Sequence, residues 1–343
     1  MLNYTGCDAH KRMCHFQQMD EDGALGFSIR VPTDKESIIE LLDQLEEKTI
    51  MTLEAGRNWW WLCQLFKSHH NISAINIADP RRSRNIAEEL SIQSGYGRAS
   101  NDRIDSEMLA EQTRRGLVPL IHIPTEEQFK KRSINRHRFI LVSIRTQFKN
   151  SIHAISAMHG VDINISKLIT DPQTADLIYT SLPEYATFMI KQFIAQIQLL
   201  DQQISLSDKK LDKLLPPTNP IMKLLLSHPG IGPVCSRTVI TETLDIHYFK
   251  EPKYYISYSG LAPVKEESSG RNKALVKLNN FSNHFLKYAF IEAAHSCRTH
   301  DKFRRKYDLD VKKRGKKIAK INLARKIAKT VYWMLTRQEP FKC

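Results

Sequence analysis

The N-terminal half of the chain contains the sequence Gly6-Cys7-Asp8-Ala9-His10-Lys11. It continues the short apolar run of residues 2–7, whose length and boundaries predict a β-strand. Asp8 comes directly after that run, and a carboxylate at such a point lies at the carboxyl edge of a sheet, where α/β folds keep their functional sites. The stretch therefore predicts a buried strand that ends in a functional acid.

The chain around this stretch alternates short apolar runs with helical patterns over about 120 residues, which is typical of an α/β domain. Further strands are predicted at residues 26–31, 49–53 and 72–77. Helices are predicted at residues 35–47, 57–68 and 103–115, followed by a long basic helix at 126–158. The region after Pro217 reads as helical and basic, so the predicted fold class is α/β followed by all-α.

Three more acids lie at the end of a predicted strand or in the first turn of a predicted helix. Glu54 follows a predicted strand, and Asp102 and Asp105 are three residues apart, which places both on one face of the first turn of a helix. Carboxylates that converge on one point repel one another unless a cation neutralises them, so the set predicts bound Mg²⁺ or Mn²⁺. Taken singly, the residues also fit ordinary roles, with Asp102 as a helix N-cap and Glu54 as a loop acid.

Residues 183–216 carry a different pattern, in which apolar residues recur in alternating steps of four and three. A seam sustained for about four heptads is typical of a coiled coil. Its members are Ala186, Ile190, Phe193, Ile197, Leu200, Ile204, Ser207, Leu211 and Leu214. The pattern predicts a self-associating arm or an antiparallel hairpin with the preceding helix, and an amphipathic helix packed inside one chain is the alternative.

A glycine turn, His228-Pro229-Gly230-Ile231-Gly232-Pro233, separates two further predicted helices at residues 221–226 and 234–242. Gly230 and Gly232 allow a tight turn, and the N-terminus of the second helix presents free N–H groups that suit a phosphate. The pattern is that of a helix-hairpin-helix, which contacts a DNA backbone without reading its sequence. An ordinary turn is the alternative.

Charge indicates a polyanionic partner. The chain has 51 Lys and Arg against 37 Asp and Glu, a net charge of +14, and residues 301–343 hold 15 basic and 4 acidic residues. Lys and Arg at this density suit phosphate contacts. The residues predicted to make them are Arg132, Arg136, Arg138, Lys316 and Lys317. A solubilising face is the alternative, and these residues do not distinguish DNA from RNA.

Composition excludes several other classes. Hydrophobic residues make up 41% of the chain, but none of their runs approaches the roughly 20 residues that span a bilayer, so no membrane partner is predicted. The six cysteines have no C-x-x-C spacing, which favours free thiols over a zinc site or disulfides. The first residues lack the basic and apolar segments of a signal peptide, so a cytoplasmic protein is expected.

The acidic motifs resemble the DEDD transposase domain of insertion-sequence family one-ten, the family of the Piv invertase and MooV. The matching motifs are Gly6-x-Asp8-x-His10-Lys11, Glu54-Ala55-Gly56 and Asp102-Arg103-Ile104-Asp105. That domain is similar to the RuvC Holliday-junction resolvase and has a ribonuclease H-like fold. The resemblance implies that Asp8, Glu54, Asp102 and Asp105 are catalytic metal ligands. Asn101 and Ser106 depart from the family's usual Thr and Ala, but neither departure removes a carboxylate.

The C-terminal half resembles the same family through a second set of motifs. These are Pro229-Gly230-Ile231-Gly232-Pro233, then Gly260-Leu261-Ala262-Pro263, then a serine directly before Gly270. The resemblance implies that this serine, Ser269, attacks DNA and forms a phosphoserine link, with Ser268 as the fallback assignment. It also implies a structured non-coding guide RNA that pairs with donor and target DNA, as in a bridge-RNA-guided serine recombinase. A Ser-Ser-Gly loop is otherwise an ordinary surface turn.

These observations predict a transposase or site-specific recombinase in three parts. They are a RuvC-like domain in residues 1–160, a coiled-coil arm in 161–217 and a helical domain with the serine in 218–343. A nucleophile and a metal site in different domains favour active sites shared between subunits, in homodimers or tetramers. Two alternatives stay open: a metal-dependent junction nuclease that uses water, with Ser269 idle, and a nucleic-acid-binding protein without catalytic activity.

Overall fold

The chain divides into two units in the computed structural model, residues 1–123 and residues 124–343. The structure describes residues 2–93, 95, 101–265, 276–278 and 282–342. The sequence placed the end of the first domain at residue 160, whereas the first unit ends before the long helix that begins at Glu126. The two units are defined by packing, and the functional division into three parts stays a prediction.

A five-stranded mixed sheet forms the centre of the first unit. Its strands are β1 (Asn3–Ala9), β2 (Met13–Met19), β3 (Leu25–Pro32), β4 (Thr49–Glu54) and β5 (Ile72–Ala78). The spatial order is β3-β2-β1-β4-β5, in which β1 to β3 are antiparallel neighbours and β1, β4 and β5 run parallel. The parallel pairing brings the ends of β1 and β4 to the same edge. This arrangement is consistent with the ribonuclease H-like fold that the resemblance implies.

Helices cover both faces of this sheet. They are α1 (Lys35–Asp43), α2 (Trp59–Ser68), α3 (Pro80–Gln93) and α4 (Asp102–Arg114). Cys7 of β1 packs in one apolar core with Ile38 of α1 and Phe66 of α2. Gly6 points to the opposite face, because successive residues of a strand alternate, and there it meets α4. A Cβ atom built on Gly6 would lie 1.9 Å from the carbonyl oxygen of Ser106, so the approach of α4 requires glycine.

Two elements of the first unit are missing from the sequence prediction. In β2, polar residues are interleaved with apolar ones and even Gln17 is buried, which weakens the apolar signal on which strand prediction relies. For α3, the sequence indicated only the end of a strand at Asp79-Pro80. The Asp79 carboxylate in fact accepts hydrogen bonds from the N–H groups of Arg81 and Arg82, and this contact starts a new helix.

Helices predominate in the described part of the second unit. They are α5 (Glu126–Met158), α6 (Ile165–Thr170), α7 (Pro172–Thr180), α8 (Glu184–Leu214), α9 (Pro220–Leu226), α10 (Pro233–Thr243), a short 3-10 helix (Ile246–Tyr248), α11 (Pro252–Tyr258), α12 (His284–Cys297) and α13 (Asp301–Arg337). Two short strands, β6 (Pro263–Lys265) and β7 (Val276–Leu278), pair antiparallel. α13 is bent at Gly315, whose φ of 80° lies in the left-handed region.

α5 and α8 pack side by side as an antiparallel pair. Arg138 of α5 contacts Asp208 of α8 at 2.7 Å, whereas Phe148, further along α5, meets Phe193, nearer the start of α8. The buried residues of α8 include most of the predicted seam, namely Ala186, Ile190, Ile197, Leu200, Ile204 and Leu211. The hairpin alternative accounts for this burial within one chain, and self-association of the arm stays a proposal.

A buried ion cluster ties three helices of the second unit together. Glu242 of α10 is fully buried. Its carboxylate accepts two hydrogen bonds of 2.7 Å from the guanidinium of Arg136 on α5 and one of 2.7 Å from the side chain of Asn283 at the start of α12. Charge-assisted bonds of this geometry offset the cost of burying the carboxylate. The helices α10 and α12 also contribute Val239 and Phe290 to one apolar core.

The cysteines and the hydropathy of the helices agree with what the composition predicts. The prediction of free thiols is confirmed for the cysteines that the structure describes, which are Cys7, Cys14, Cys63, Cys235 and Cys297. Within the described ranges, each helix is too short or too polar to cross a bilayer.

Replacing Gly6 by alanine should destabilise the first unit. The new Cβ would overlap the backbone of α4 at Ser106 and Ala110, so the helix would have to move away from β1. Overpacking of this kind costs on the order of 1–3 kcal/mol, occasionally more. We expect a lower midpoint of urea unfolding, measured by circular dichroism. Gly56→Ala is the matched control, because a Cβ there meets nothing closer than 3.9 Å. Equal midpoints for the two variants would contradict the close helix–strand contact.

Candidate active site

The pairing of β1 with β4 places two of the predicted acids side by side. The parallel register matches Cys7 with Leu53, so the residues that follow, Asp8 and Glu54, are neighbours at the ends of adjacent strands. The sequence put both acids just after their strands, but Asp8 lies within β1 and Glu54 is the last residue of β4. Asp8 is two residues from Gly6 and therefore faces α4.

The first turn of α4 carries the other two acids. Asn101 caps this helix, since its side-chain oxygen accepts a hydrogen bond of 3.0 Å from the N–H of Ile104. The alternative role of Asp102 as the N-cap is therefore wrong, because Asn101 satisfies the free N–H group and leaves the Asp102 carboxylate available. Asp105 lies three residues further on in the same turn.

His10 joins the acid from the sheet to the acid from the helix. Its Nε2 lies 3.1 Å from Oδ2 of Asp8 and 3.3 Å from Oδ1 of Asp102. Nη2 of Arg30 lies 3.5 Å from the other oxygen of Asp102. The ligand atoms of Asp8, His10 and Asp102 are all within 4.8 Å of one another. Side chains that are far apart in sequence thus meet at one point.

The four predicted carboxylates act on one another electrostatically. Burial raises the pKa of Glu54 to about 7, and the charges of Asp8 and Asp105 add to this rise. Burial also raises the pKa of Asp8, which His10 opposes and Asp105 and Asp102 reinforce. Charges act this strongly on a pKa only over short distances. Glu54 and Asp105 thus act electrostatically on Asp8 or are acted on by it, while the ligand atoms within 4.8 Å of one another are those of Asp8, His10 and Asp102.

This cluster fits a divalent cation. Oδ2 of Asp8 is buried and accepts no hydrogen bond of proper geometry from the described residues. A buried carboxylate oxygen without a partner costs free energy that a bound cation would offset. Carboxylate oxygens are the preferred ligands of Mg²⁺ and Mn²⁺. Asp8, Glu54, Asp102 and Asp105 can all supply them.

A groove of about 470 Å³ opens beside Asp102. Its lining residues are His10, Lys11, Arg12, Met13, Arg30 and Asp102. Cations beside a carboxylate cluster suit a phosphate that approaches a bound metal ion. His10 and Lys11 belong to the first acidic motif, but the sequence predicts no role for them, and no sequence pattern points to Arg12 or Arg30. Arg30 reaches the site from β3, and no local pattern links it to Asp102.

The predicted phosphate contacts on α5 have partners inside the second unit. Arg132 donates to the carbonyl oxygen of Glu242 at 3.4 Å, and Arg136 binds the carboxylate of the same residue. Arg138 binds Asp208 at 2.7 Å. These guanidinium groups hold helices together, and their predicted phosphate contacts stay a prediction. Counting charges along the sequence could not reveal acidic partners that are about 70 or more residues away.

The other predicted nucleic-acid contacts differ in exposure. Gly230 is buried, and a Cβ there would lie 2.5 Å from the carbonyl oxygen of Ala293, so this glycine serves helix packing. Gly232 is exposed and caps α10 with open space around it. Lys316 and Lys317 are exposed just after the bend of α13. α9 and α10 flank the glycine turn at the predicted places, and a DNA-binding role for this turn stays a prediction.

Ser268 and Ser269 lie outside the residues that the structure describes. They belong to the segment that connects β6 to β7, and these two strands pair with each other. The assignment of the serine nucleophile therefore stays a prediction.

Glu54→Gln should stabilise the metal-free protein at pH 8 more than at pH 5. The pKa of Glu54 is about 7 in the folded chain against an ordinary value of 4.5, so the folded state holds a proton that the unfolded chain has released. The free energy of unfolding therefore falls as pH rises from about 4.5 to about 7. Glutamine removes this loss because it has no charge to bury. The measurement is thermal unfolding in EDTA across this pH range, with the exposed Glu40→Gln as control. A pH dependence that is the same in Glu54→Gln and wild type would contradict this reading.

Combined Lys316→Ala and Lys317→Ala substitutions should weaken DNA binding, whereas Arg138→Ala should weaken the fold. Each lost phosphate contact reduces the slope of log affinity against log salt by about 0.9 for duplex DNA. Arg138→Ala instead removes an ion pair between α5 and α8 and should lower the unfolding midpoint. Fluorescence anisotropy with labelled duplex at several salt concentrations measures the slope. A reduced slope in Arg138→Ala, or an unchanged one in the lysine variant, would contradict the assignment.

Comparison with known proteins gives the same family for both halves of the chain. The family model described as "Transposase IS116/IS110/IS902 family" matches residues 222–308, and the DEDD transposase model of IS110 elements matches residues 5–157. The chain is similar to the transposase for insertion sequence element IS1111A of Coxiella burnetii, with 26% identity over 71% of this chain and 68% of that protein.

Two further relatives extend this likeness. An uncharacterized 44.8 kDa protein of insertion element IS116 from Streptomyces clavuligerus is 23% identical over 98% of this chain and 96% of its own length. The transposase for insertion sequence element IS1328 of Yersinia enterocolitica is 25% identical over 57% of this chain and 58% of its own length. With the two family models matching one after the other along the chain, the protein belongs to the IS116/IS110/IS902 family of transposases, enzymes that cut and rejoin DNA strands.

Proposed function

We propose that this transposase cuts and rejoins DNA through a phosphoserine intermediate formed beside a carboxylate-bound metal ion. The observation that carries the proposal is the meeting of Asp8 from the sheet and Asp102 from α4 at the Nε2 of His10, 3.1 and 3.3 Å away. Transposases of the DEDD type use a divalent metal ion, and the oxygen donors of this cluster favour Mg²⁺ or Mn²⁺.

The residues proposed to hold the metal are Asp8, Glu54, Asp102 and Asp105. When bound there, Mg²⁺ or Mn²⁺ would polarise the scissile phosphate and stabilise the oxygens that attack and leave. The chain's own cations have a separate task. Lys11, Arg12 and Arg30 line the groove beside Asp102, where they would bind phosphate oxygens and hold the DNA strand against the carboxylates.

Ser269 is the proposed nucleophile, with Ser268 as the fallback. Its hydroxyl loses a proton and forms a bond to the scissile phosphorus, and the bond from phosphorus to the departing DNA hydroxyl breaks. Attack by a hydroxyl of the incoming strand then reverses the exchange and frees the serine. The phosphodiester energy is kept in the serine link, so rejoining needs no ATP. A serine hydroxyl is a weak nucleophile without activation, which is why the proposal pairs it with the metal site.

DNA is the substrate, and we propose that a structured non-coding RNA of the element selects donor and target sequences. The RNA part rests on the family resemblance. It agrees with a protein whose exposed cations, such as Lys316 and Lys317, suit backbone rather than base contacts. We also propose that the active protein is a homodimer or a tetramer, since cutting and joining two duplexes requires more than one nucleophile.

Hydrolysis by a resolvase-like nuclease is the second candidate. It is favoured by one observation: the carboxylate cluster belongs entirely to the first unit. A metal site of this kind could activate water without a serine. The two candidates differ in a single intermediate, because only the recombinase links the protein covalently to DNA.

A covalent-trapping assay should yield a DNA-linked protein band with wild type and none with Ser269→Ala or Asp102→Ala. The serine variant loses the attacking oxygen, and the aspartate variant loses a metal ligand. Protein, the RNA flanking the element, Mg²⁺ and labelled junction DNA are mixed, denatured and separated on a gel. Ser268→Ala is the matched control and should keep the band.

Other outcomes of this assay discriminate between the proposals. A band lost in Ser268→Ala and kept in Ser269→Ala would move the nucleophile by one residue. If DNA is cleaved without any protein-linked band, and wild type and Ser269→Ala cleave it equally, the serine mechanism is wrong and the protein is a nuclease.

A further inference from the structure

Nε2 of His10 lies beside the carboxylates of Asp8 and Asp102, within reach of an ion that these two residues would hold. His10 follows β1 by one residue, in the turn toward β2. Its Nε2 contacts one oxygen of each carboxylate at 3.1 and 3.3 Å, although the imidazole side chain is 58% exposed. The side chain is thus largely exposed, yet its Nε2 is directed to the two carboxylates. Either the carboxylates themselves or an ion that they bind accounts for this orientation.

The backbone of His10 is held in place from three sides. Its N–H donates to the carbonyl oxygen of Met13 at 3.0 Å. Its own carbonyl oxygen accepts hydrogen bonds from Oγ1 of Thr33 at 3.0 Å and from Nδ2 of Asn58 at 2.8 Å. A residue in the connection between two strands that is anchored in this way presents its side chain at a defined place, as a metal ligand must.

The distances between His10 and the two carboxylates match those between ligands of one ion. Oδ2 of Asp8 is buried and has no hydrogen-bond partner of proper geometry among the described residues, although Nε2 of His10 is only 3.1 Å away. Ligand atoms at adjacent corners of an octahedron with bonds of about 2.1 Å are about 3 Å apart. The two nitrogen–oxygen distances fit such a shared ion.

A second histidine cluster in the same unit gives the contrast. Nε2 of His69 lies 2.9 Å from Oδ1 of Asp43, and Nδ1 of His69 accepts a hydrogen bond from the N–H of Asn71 at 3.3 Å. His70 stacks on His69 at 4.6 Å. Both ring nitrogens of His69 are used by protein groups, so that cluster is explained without an ion.

We propose that Nε2 of His10 is a ligand of the same divalent ion that Asp8 and Asp102 hold. This inference rests on the proposed carboxylate metal site and adds a nitrogen donor to it. A neutral imidazole ligand adds no negative charge to a crowded acidic cluster. It also binds first-row transition ions better than Mg²⁺, which strongly prefers oxygen. The site should therefore take Mn²⁺ or Co²⁺ more tightly than a site with carboxylates alone, at little gain for Mg²⁺.

The test is pulsed electron paramagnetic resonance of Mn²⁺ bound to the full-length protein without nucleic acid. Coordination by imidazole couples the manganese electron spin to ¹⁴N, and the coupling appears as a modulation of the spin echo. We expect this modulation in wild type and in His69→Ala, and its loss in His10→Ala. The Kd for Mn²⁺ should rise at least about ten-fold in His10→Ala, as losses of groups around metal sites commonly do. The Kd for Mg²⁺, measured by competition with Mn²⁺, should change much less.

Asp102→Asn separates failure of this inference from failure of the proposed metal site. Mn²⁺ binding that Asp102→Asn abolishes, without ¹⁴N modulation in wild type, would overturn the role of His10 and leave the carboxylate site standing. Mn²⁺ binding that is absent, or unchanged in Asp102→Asn, would overturn the carboxylate site and the inference together. Modulation lost in His69→Ala and kept in His10→Ala would place the ion at the second histidine cluster. Since His10 is exposed, its alanine variant should fold, and equal circular dichroism spectra establish this.

Discussion

The contact between the backbone of α4 and Gly6 of β1 is the constraint on which the candidate site depends. A Cβ atom on Gly6 would lie only 1.9 Å from the carbonyl oxygen of Ser106, which is too close for any residue but glycine. This contact sets how near the first turn of α4 comes to the end of β1. Asp8, two residues after Gly6, and Asp102, at the start of α4, thereby reach the same imidazole. A larger residue at position 6 would separate the sheet acids from the helix acids.

Bringing the acids together has an electrostatic cost that explains the surroundings of the cluster. Burial and neighbouring charge raise the pKa of Glu54 to about 7, so below that pH the metal-free chain holds a proton there that it would release to a bound cation. Arg84 opposes this rise, and Arg30 contacts Asp102 from the groove. The negative charge of the acids thus calls for neutralisation by nearby positive charge, from a metal ion, from His10 or from these arginines.

The second unit uses its charge in a different way. Several arginines that the sequence offered for nucleic acid are committed to internal acids, with Arg136 on the buried Glu242 and Arg138 on Asp208. Guanidinium groups suit such pairs because their planar donors match a carboxylate in two-point contacts. Lysines such as Lys316 and Lys317 remain exposed. A high net charge therefore indicated a nucleic-acid partner without identifying which cations meet it.

Two features could be predicted from the sequence. One is the set of four acids, two at strand ends and two in one helix turn, and the other is the helical second half. These features are local, since apolar periodicity and the spacing of Asp102 and Asp105 can be read within a few residues. Motif resemblance then supplied the family, which the family models confirm. Helix boundaries such as Glu126–Met158 were predicted correctly because long periodic patterns are robust.

The contacts between side chains depend on the tertiary fold. The roles of His10 and Arg30 at Asp102, the capping of α4 by Asn101, and the inward pairing of Arg132, Arg136 and Arg138 all depend on residues brought together from distant parts of the chain. Strand register, helix approach at Gly6 and the burial of Glu242 create these contacts. Sequence spacing carries no record of them, because a side chain's partners across a fold are set by packing and not by its neighbours along the chain.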